Sequence, residues 1–277
     1  MKIGGHKVPA TAYIGAFIVL LALIAILFAP WVAPYPQTKI VGGVWDPPSA
    51  HDLLGTDSIG RDMLSRLIYG GRTSVTIALV ATTLTMIIGV GLGFLAVATN
   101  KIVDNILSRI IDVMLAMPVL IFALMVFAVL GTSIPIMIIT ISILESTRVF
   151  RLARAVAMNI AVLDYVQVAR LRGEGVGWVI FREILPNALP PLIAEFGLRF
   201  CFTFLFIASL SFLGLGIQPP AADWGSMVHD NAQAISFGGY APLFPAGAIA
   251  LVTIGVNLIV DWLLSIHALP AGAGAEV

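Results

Sequence analysis

Charge is what this sequence has least of. Of its 277 residues, 11% are Asp, Glu, Lys or Arg, against about 25% in an ordinary soluble domain. Basic and acidic residues balance at 15 each, so the chain carries no electrostatic footprint for nucleic acid. Cys201 is the sole cysteine; it excludes an internal disulfide and, inside an apolar run, reads as a small buried residue. Chemistry-bearing motifs are missing too. There is no Gly-x-x-x-x-Gly-Lys-Ser/Thr, hence no phosphate cradle of the chain's own, and no His-Glu-x-x-His or Gly-x-Ser-x-Gly. His6, His51, His229 and His267 are too scattered to suggest a metal site. These absences argue against an enzyme and against a bound cofactor.

What is present is long uncharged sequence. Val8–Thr38, Thr73–Asn100, Val113–Leu144, Phe200–Ala222 and Asn231–Val260 contain no charged residue. A helix needs ~20 apolar residues to cross the hydrocarbon core, and each run exceeds that. A water-soluble core does not explain five such runs. The pattern predicts an all-α integral membrane protein with six spans, near 12–33, 73–99, 106–130, 135–154, 190–216 and 242–266. Lys2 and Lys7 ahead of the first run resemble a signal peptide, but the run is long for one and no clean small-x-small site follows it. We read it as a retained span. With the N-terminus cytoplasmic, eleven Lys and Arg fall inside and four (Lys39, Arg61, Arg66, Arg72) outside. That bias predicts cytoplasmic termini.

Several local features invite a reading. In the outer segment 34–72, Thr56-Asp57-Ser58 offers helix caps and Gly70-Gly71 a stop. Ile59, Met63, Leu64, Leu67 and Ile68 between them predict a short amphipathic helix at the outer interface. It fits a packing element as well as a docking one. Gly89-Val-Gly91-Leu-Gly93 inside an apolar helix is helix packing, not a nucleotide loop. Glu145 and Arg148, three apart in the fourth span, can share one helix face. Glu145 is either a structural ion-pair partner or part of a transport path. Glu195 precedes Arg199 by four residues, the spacing of a helical ion pair.

The loop 155–190 is too polar to span yet is patterned. Tyr165, Val168 and Ala169 sit on one face of a short helix, with Gln167, Arg170 and Arg172 polar. Gly173-Glu174-Gly175 breaks that helix. Val176, Val179, Ile180 and Ile184 form a second apolar stripe beside Trp178 and Phe181. Pro186 and Pro190-Pro191 are expected to end the second helix and start the fifth span. On pattern alone this jointed pair suits a membrane surface or a partner protein equally.

The same segment resembles the cytoplasmic EAA loop of binding-protein-dependent ABC importer permeases. Gln167-Val168-Ala169 stands where that pattern has Glu-Ala-Ala, Gly173 keeps its glycine, and Ile184-Leu185-Pro186 closes it. Leu54-Gly-Thr-Asp-Ser-Ile-Gly-Arg-Asp62, Leu210-Ser-Phe-Leu-Gly-Leu-Gly-Ile-Gln-Pro-Pro220 and Asp223-Trp-Gly225 are similar to signatures of the oligopeptide/dipeptide/nickel permeases, C-type subunit. Asp112 and Met117-Pro118 fit as well. The resemblance implies a type I ABC importer transmembrane fold in a bacterial inner membrane. It divides the chain into 1–72 (tail, first span, outer loop), a transmembrane domain over 73–266 and a cytoplasmic tail over 267–277. It implies a heterodimer with a homologous permease, two separate ATPase subunits carrying ATP and Mg, and an extracytoplasmic substrate-binding protein. Tyr165, Gln167, Val168, Ala169, Arg170, Arg172, Gly173, Glu174, Gly175, Ile184, Leu185 and Pro186 become candidate ATPase-coupling residues. Glu145, Arg148, Glu195 and Arg199 are candidates for the pathway or an intramembrane ion pair. Peptides or similar small solutes are the implied substrates. A secondary transporter or channel acting alone is the other reading, but it usually needs internal repeats or charge relays, and no repeat is visible.

Overall fold

The apolar runs fold as helices because a backbone in lipid must satisfy its polar groups within its own segment. A computed structural model describes residues 9–267, together with the backbone pairing of Lys2–Ile3 with His6–Lys7. Apart from His267, the expected tail lies outside the described residues. The helices are α1 (Ala10–Leu27), the one-turn α2 (Ala29–Val32), α3 (Met63–Ala98), α4 (Lys101–Ala116), α5 (Val119–Leu130) and α6 (Ile134–Ala161). They continue as α7 (Asp164–Leu171), α8 (Val176–Trp178), α9 (Leu185–Phe212), α10 (Trp224–Asn231) and α11 (Leu243–His267). A π-helical turn, Val179–Ile184, joins α8 to α9.

Four continuous helices among the described residues are long and apolar enough to cross a membrane: Ala10–Leu27, Met63–Ala98, Val176–Phe212 and Leu243–Ser265. The expected third span is not one helix. It breaks at Met117-Pro118 into α4 and α5, bent by 89°, because Pro118 disfavours a helical residue before it. α6 takes the place of the expected fourth span. Glu145, Arg148, Arg151 and Arg154 along it leave it less apolar than the others.

Two further expectations are corrected. Gly70-Gly71 does not stop a helix; α3 runs straight through it. The pair instead makes room for an indole, since a Cβ on Gly71 would lie 2.5 Å from Trp224 Cζ2. Nor does Pro186 or Pro190-Pro191 end a helix: the segment from Val176 to Phe212 is continuous. The wide turn at Val179–Ile184, with the Leu185 N–H donating to the Ile180 carbonyl five residues back, resets the register just ahead of Pro186.

By their contacts the described residues divide into two compact units. The first is drawn from 1–79, 132–134 and 200–266; the second is drawn from 80–131, 135–199 and 267–277. In the first unit Gly15 and Gly255 let α1 and α11 approach closely. Trp224 is buried there, its Nε1 donating to the Leu67 carbonyl at 2.7 Å and its ring edge-on to Phe204. The outer signature Leu54–Asp62 is not helical. Asp57, expected among the caps, instead accepts from the backbone N–H groups of Ile59 and Arg61 and pairs with Arg61 (2.7 Å) and Arg66 (3.1 Å). Asp62 is the cap of α3, accepting from Ser65 N–H at 2.7 Å. Asp223 caps α10 through Ser226 N–H and accepts from the Ser74 hydroxyl. In the second unit α3 meets α6 through Gly89 and Gly93, where a Cβ would lie 2.6 Å from Val149 Cβ and 2.9 Å from Ala153 Cβ. Gly91 between them faces open space.

Candidate coupling site and ion network

The candidate coupling segment grows out of the second unit's core. Phe94 and Ala98 of α3, with Ala153, Ala157 and Ile160 of α6, form one buried cluster with Val166, Val179, Ile184, Ala188 and Leu192. Val166 and Ala169 are the residues α7 buries, so its inward face differs from the expected Tyr165-Val168-Ala169 stripe. Val179 and Ile184 of the segment that follows α7 pack into the same cluster. Tyr165 and Val168 are exposed, and Leu171 is 86% exposed. These three lie three residues apart and form an apolar ridge on the free face. Leu171 was not among the candidates; with the period anchored on Val166 and Ala169, it falls opposite the core.

Gln167 is exposed, its Nε2 donating back to the Ala161 carbonyl at 2.7 Å. Arg170 Nη2 donates to the Val97 carbonyl at 3.4 Å. The Arg172 guanidinium lies 6.0 Å from the centroid of the Trp178 ring, within cation–π reach. Gly173 has φ +82°. Its N–H donates to the Arg170 carbonyl and the Glu174 N–H to the Ala169 carbonyl, the two bonds of a Schellman stop. Gly175 is extended and precedes α8. Of the closing triplet, Ile184 is fully buried, Leu185 half-buried and Pro186 exposed.

Glu145, Arg148, Glu195 and Arg199 come together in the same unit. Glu145 lies 3.2 Å from Arg199 and 3.6 Å from Arg148, while Arg199 Nε lies 2.7 Å from Glu195 Oε1. Two carboxylates and two guanidiniums make the group neutral, which is how buried charge is tolerated. Arg151 and Arg154 do not join it. They pair with Asp112 and Asp104 of α4, at 2.7 Å each for the Nη2 contacts. Those partners lie 39 and 50 residues apart in sequence. Among the described residues no group of three or more His, Cys, Asp or Glu could hold a metal ion.

Long apolar helices and a bent pair define a multi-pass helical membrane protein. The sequence profile of the binding-protein-dependent transport system inner membrane component family matches residues 86–268. The chain is 38% identical over 256 residues to the di/tripeptide transport system permease protein DppC of Pseudomonas aeruginosa, covering 90% of this chain and 84% of that protein. It is 38% identical over 260 residues to the dipeptide permease protein DppC of Escherichia coli K12, covering 91% and 86%. It is 36% identical over 247 residues to that organism's probable D,D-dipeptide permease protein DdpC, covering 89% and 83%. A crystal structure of an amino acid ABC transporter with histidines shares the fold at TM-score 0.52 and 20% identity, over 73% of this chain and 92% of that one.

The chain therefore belongs to the family of binding-protein-dependent transport system inner membrane components. It is a multi-pass permease subunit of an ABC transporter, not the ATPase, and its transport system includes an ATPase and a binding protein.

Proposed function

We propose that this permease pairs with a homologous permease to form a pathway for dipeptides, tripeptides or similar small solutes, driven by two ATPase subunits that carry the ATP and Mg. The peptide class is supported by the names of relatives that match about nine-tenths of the chain. The observation that carries the coupling role is the ridge of Tyr165, Val168 and Leu171. α7 is anchored by Val166 and Ala169 yet leaves Tyr165, Val168 and Leu171 exposed, the look of a helix waiting for a groove. Arg170, Arg172 and Glu174 supply charges at its rim, which tune recognition more than affinity. Gly173 and Gly175 set the joint, and Ile184, Leu185 and Pro186 fasten the second helix to α9. Movement of the docked ATPases reaches the pathway through α6 and α9, which the Glu145–Arg199 group ties together.

The chain sits in the inner membrane with both termini cytoplasmic, as its excess of cytoplasmic Lys and Arg favours. In that orientation segments 34–72 and 217–241 face outward to the binding protein. The functional transmembrane domain is 73–266, preceded by the first span and outer loop and followed by the tail 267–277. Cysteine pairs placed on Leu171 and on the ATPase groove test the docking. Disulfide formation in the assembled transporter that changes with bound nucleotide supports the reading, and no crosslink from any position of the ridge overturns it.

A further inference from the structure

The outer segments build a pocket of about 300 Å3 in the first unit. Its walls include Trp45, Asp46, Thr56, Phe237, Tyr240 and Phe244, and none of its lining residues is Lys, Arg or His. Trp45 has φ 54°, the one non-glycine residue with positive φ among those described. Such a backbone is costly for an aromatic residue and persists only where its surroundings impose it. Here they do. The indole Nε1 donates to Asn231 Oδ1 at 3.2 Å, and the indole stacks on Phe237 at 5.6 Å between centroids. Asn231 is buried and also accepts from Ser58 N–H at 2.9 Å. Asp46 is held as firmly. Its N–H donates to Thr56 Oγ1 at 2.7 Å, its carbonyl accepts from Thr56 N–H, and its carboxylate accepts from Gly43 N–H. Phe237 and Tyr240 remain 77% and 71% exposed.

An aromatic wall with its Trp45 ring held in place, beside the Asp46 carboxylate and with no cation in the lining, is complementary to a positive charge carried on an apolar stem. The volume stands at the lower end of small-molecule sites and suits one long side chain. Exposed Phe237 and Tyr240 beside the part-buried Trp45 match the aromatic enrichment of binding hot spots between proteins. We propose that this pocket seats a lysine or arginine side chain of the extracytoplasmic binding protein, its cation on Asp46 and its stem against the Trp45 and Tyr240 rings. This rests on the outward orientation proposed above.

The test uses the complete transporter, both permeases with both ATPases, in lipid nanodiscs. It is titrated with the binding protein of its own system, with ATPase stimulation as the readout. Stimulation of the wild type tests the family role, and its absence overturns that role and this inference together. In Asp46→Lys the half-saturating concentration of binding protein rises tenfold or more, and in Asp46→Asn and Tyr240→Ala about threefold, with the maximal rate unchanged. The wild type loses affinity with rising salt more steeply than Asp46→Asn. A single Lys→Glu or Arg→Glu change in the binding protein restores affinity for Asp46→Lys. Wild-type half-saturation in both Asp46→Lys and Tyr240→Ala overturns the inference alone. A lowered maximal rate at unchanged half-saturation also overturns it and assigns the pocket to the transported solute.

Discussion

Glu145 and Arg199 meet at 3.2 Å across 54 positions of sequence, joining α6 to α9. Arg199 is the hub of this group, because it also holds Glu195 at 2.7 Å. Removing the hub leaves the buried Glu145 with Arg148, whose side chain is 45% exposed, and takes the Arg199 ion pair from the part-buried Glu195. Arg199→Met is therefore expected to cost about 3–5 kcal/mol, the usual penalty for an uncompensated buried charge. Glu145→Gln leaves the Arg199–Glu195 pair intact and costs about 1 kcal/mol. Thermal denaturation of the purified permease in detergent ranks the two. Equal losses would mean that Arg199 is not the hub.

At Gly173 the constraint is backbone conformation, not crowding. A Cβ there meets nothing within 4 Å, but φ is +82°. Gly173→Ala is expected to strain the Schellman stop by about 1–2 kcal/mol, uncoupling ATP hydrolysis from transport. Asn tolerates the left-handed region better than other side chains, so Gly173→Asn should retain most of the coupling despite its greater bulk. The ratio of solute transported to ATP hydrolysed decides it. An Asn variant as impaired as the Ala variant would return the argument to side-chain volume.

The two faces of α7 should separate docking from folding. Leu171→Glu places a charge on the exposed ridge and should abolish stimulated ATPase activity while leaving expression and thermal stability within about 0.5 kcal/mol. Val166→Glu buries an unpaired carboxylate in the cluster with Phe94 and Ile184. It should destabilise the permease by several kcal/mol, as an unpaired buried charge does. Co-purification of the ATPase with each folded variant gives the measurement. Normal ATPase capture by Leu171→Glu would remove the ridge from the interface.

What could be read from the sequence followed physical range. Uncharged runs depend on composition alone, and they located α1, α3, α9 and α11. Spacings of three and four residues announced Glu145–Arg148 and Glu195–Arg199 because both partners ride one helix. Arg154–Asp104 and Arg199–Glu145 were not legible, since 50 and 54 residues separate the partners. Glycine and proline misled where their usual meaning is local punctuation. Gly70-Gly71 reads as a stop unless Trp224 is known to lie against it, and Pro186 as an end unless the π turn before it is seen. The signatures Leu54–Asp62 and Asp223-Trp-Gly225 were visible as strings. Nothing in them showed that they belong to one compact unit, where α3, which Asp62 caps, carries the Leu67 carbonyl that Trp224 binds and the Ser74 hydroxyl that Asp223 binds.

The contrast between Gly71 and Gly91 tests that lesson within one helix. Both are interior glycines of α3, and in a helix interior Ala is favoured over Gly by about 1 kcal/mol. At Gly91 a Cβ meets nothing within 4 Å, so Gly91→Ala is expected to raise stability by up to about 1 kcal/mol. At Gly71 the same Cβ would press on the Trp224 ring at 2.5 Å. The indole has no free direction in which to yield. Its N–H is fixed on the Leu67 carbonyl at 2.7 Å and its ring rests edge-on against Phe204. Gly71→Ala should therefore lower stability by about 1–3 kcal/mol, the cost of overpacking a close-fitted site. Paired thermal denaturation curves give the sign directly. A stabilised Gly71→Ala variant would show that Trp224 is free to move, and the close approach of the indole to α3 would lose its structural role.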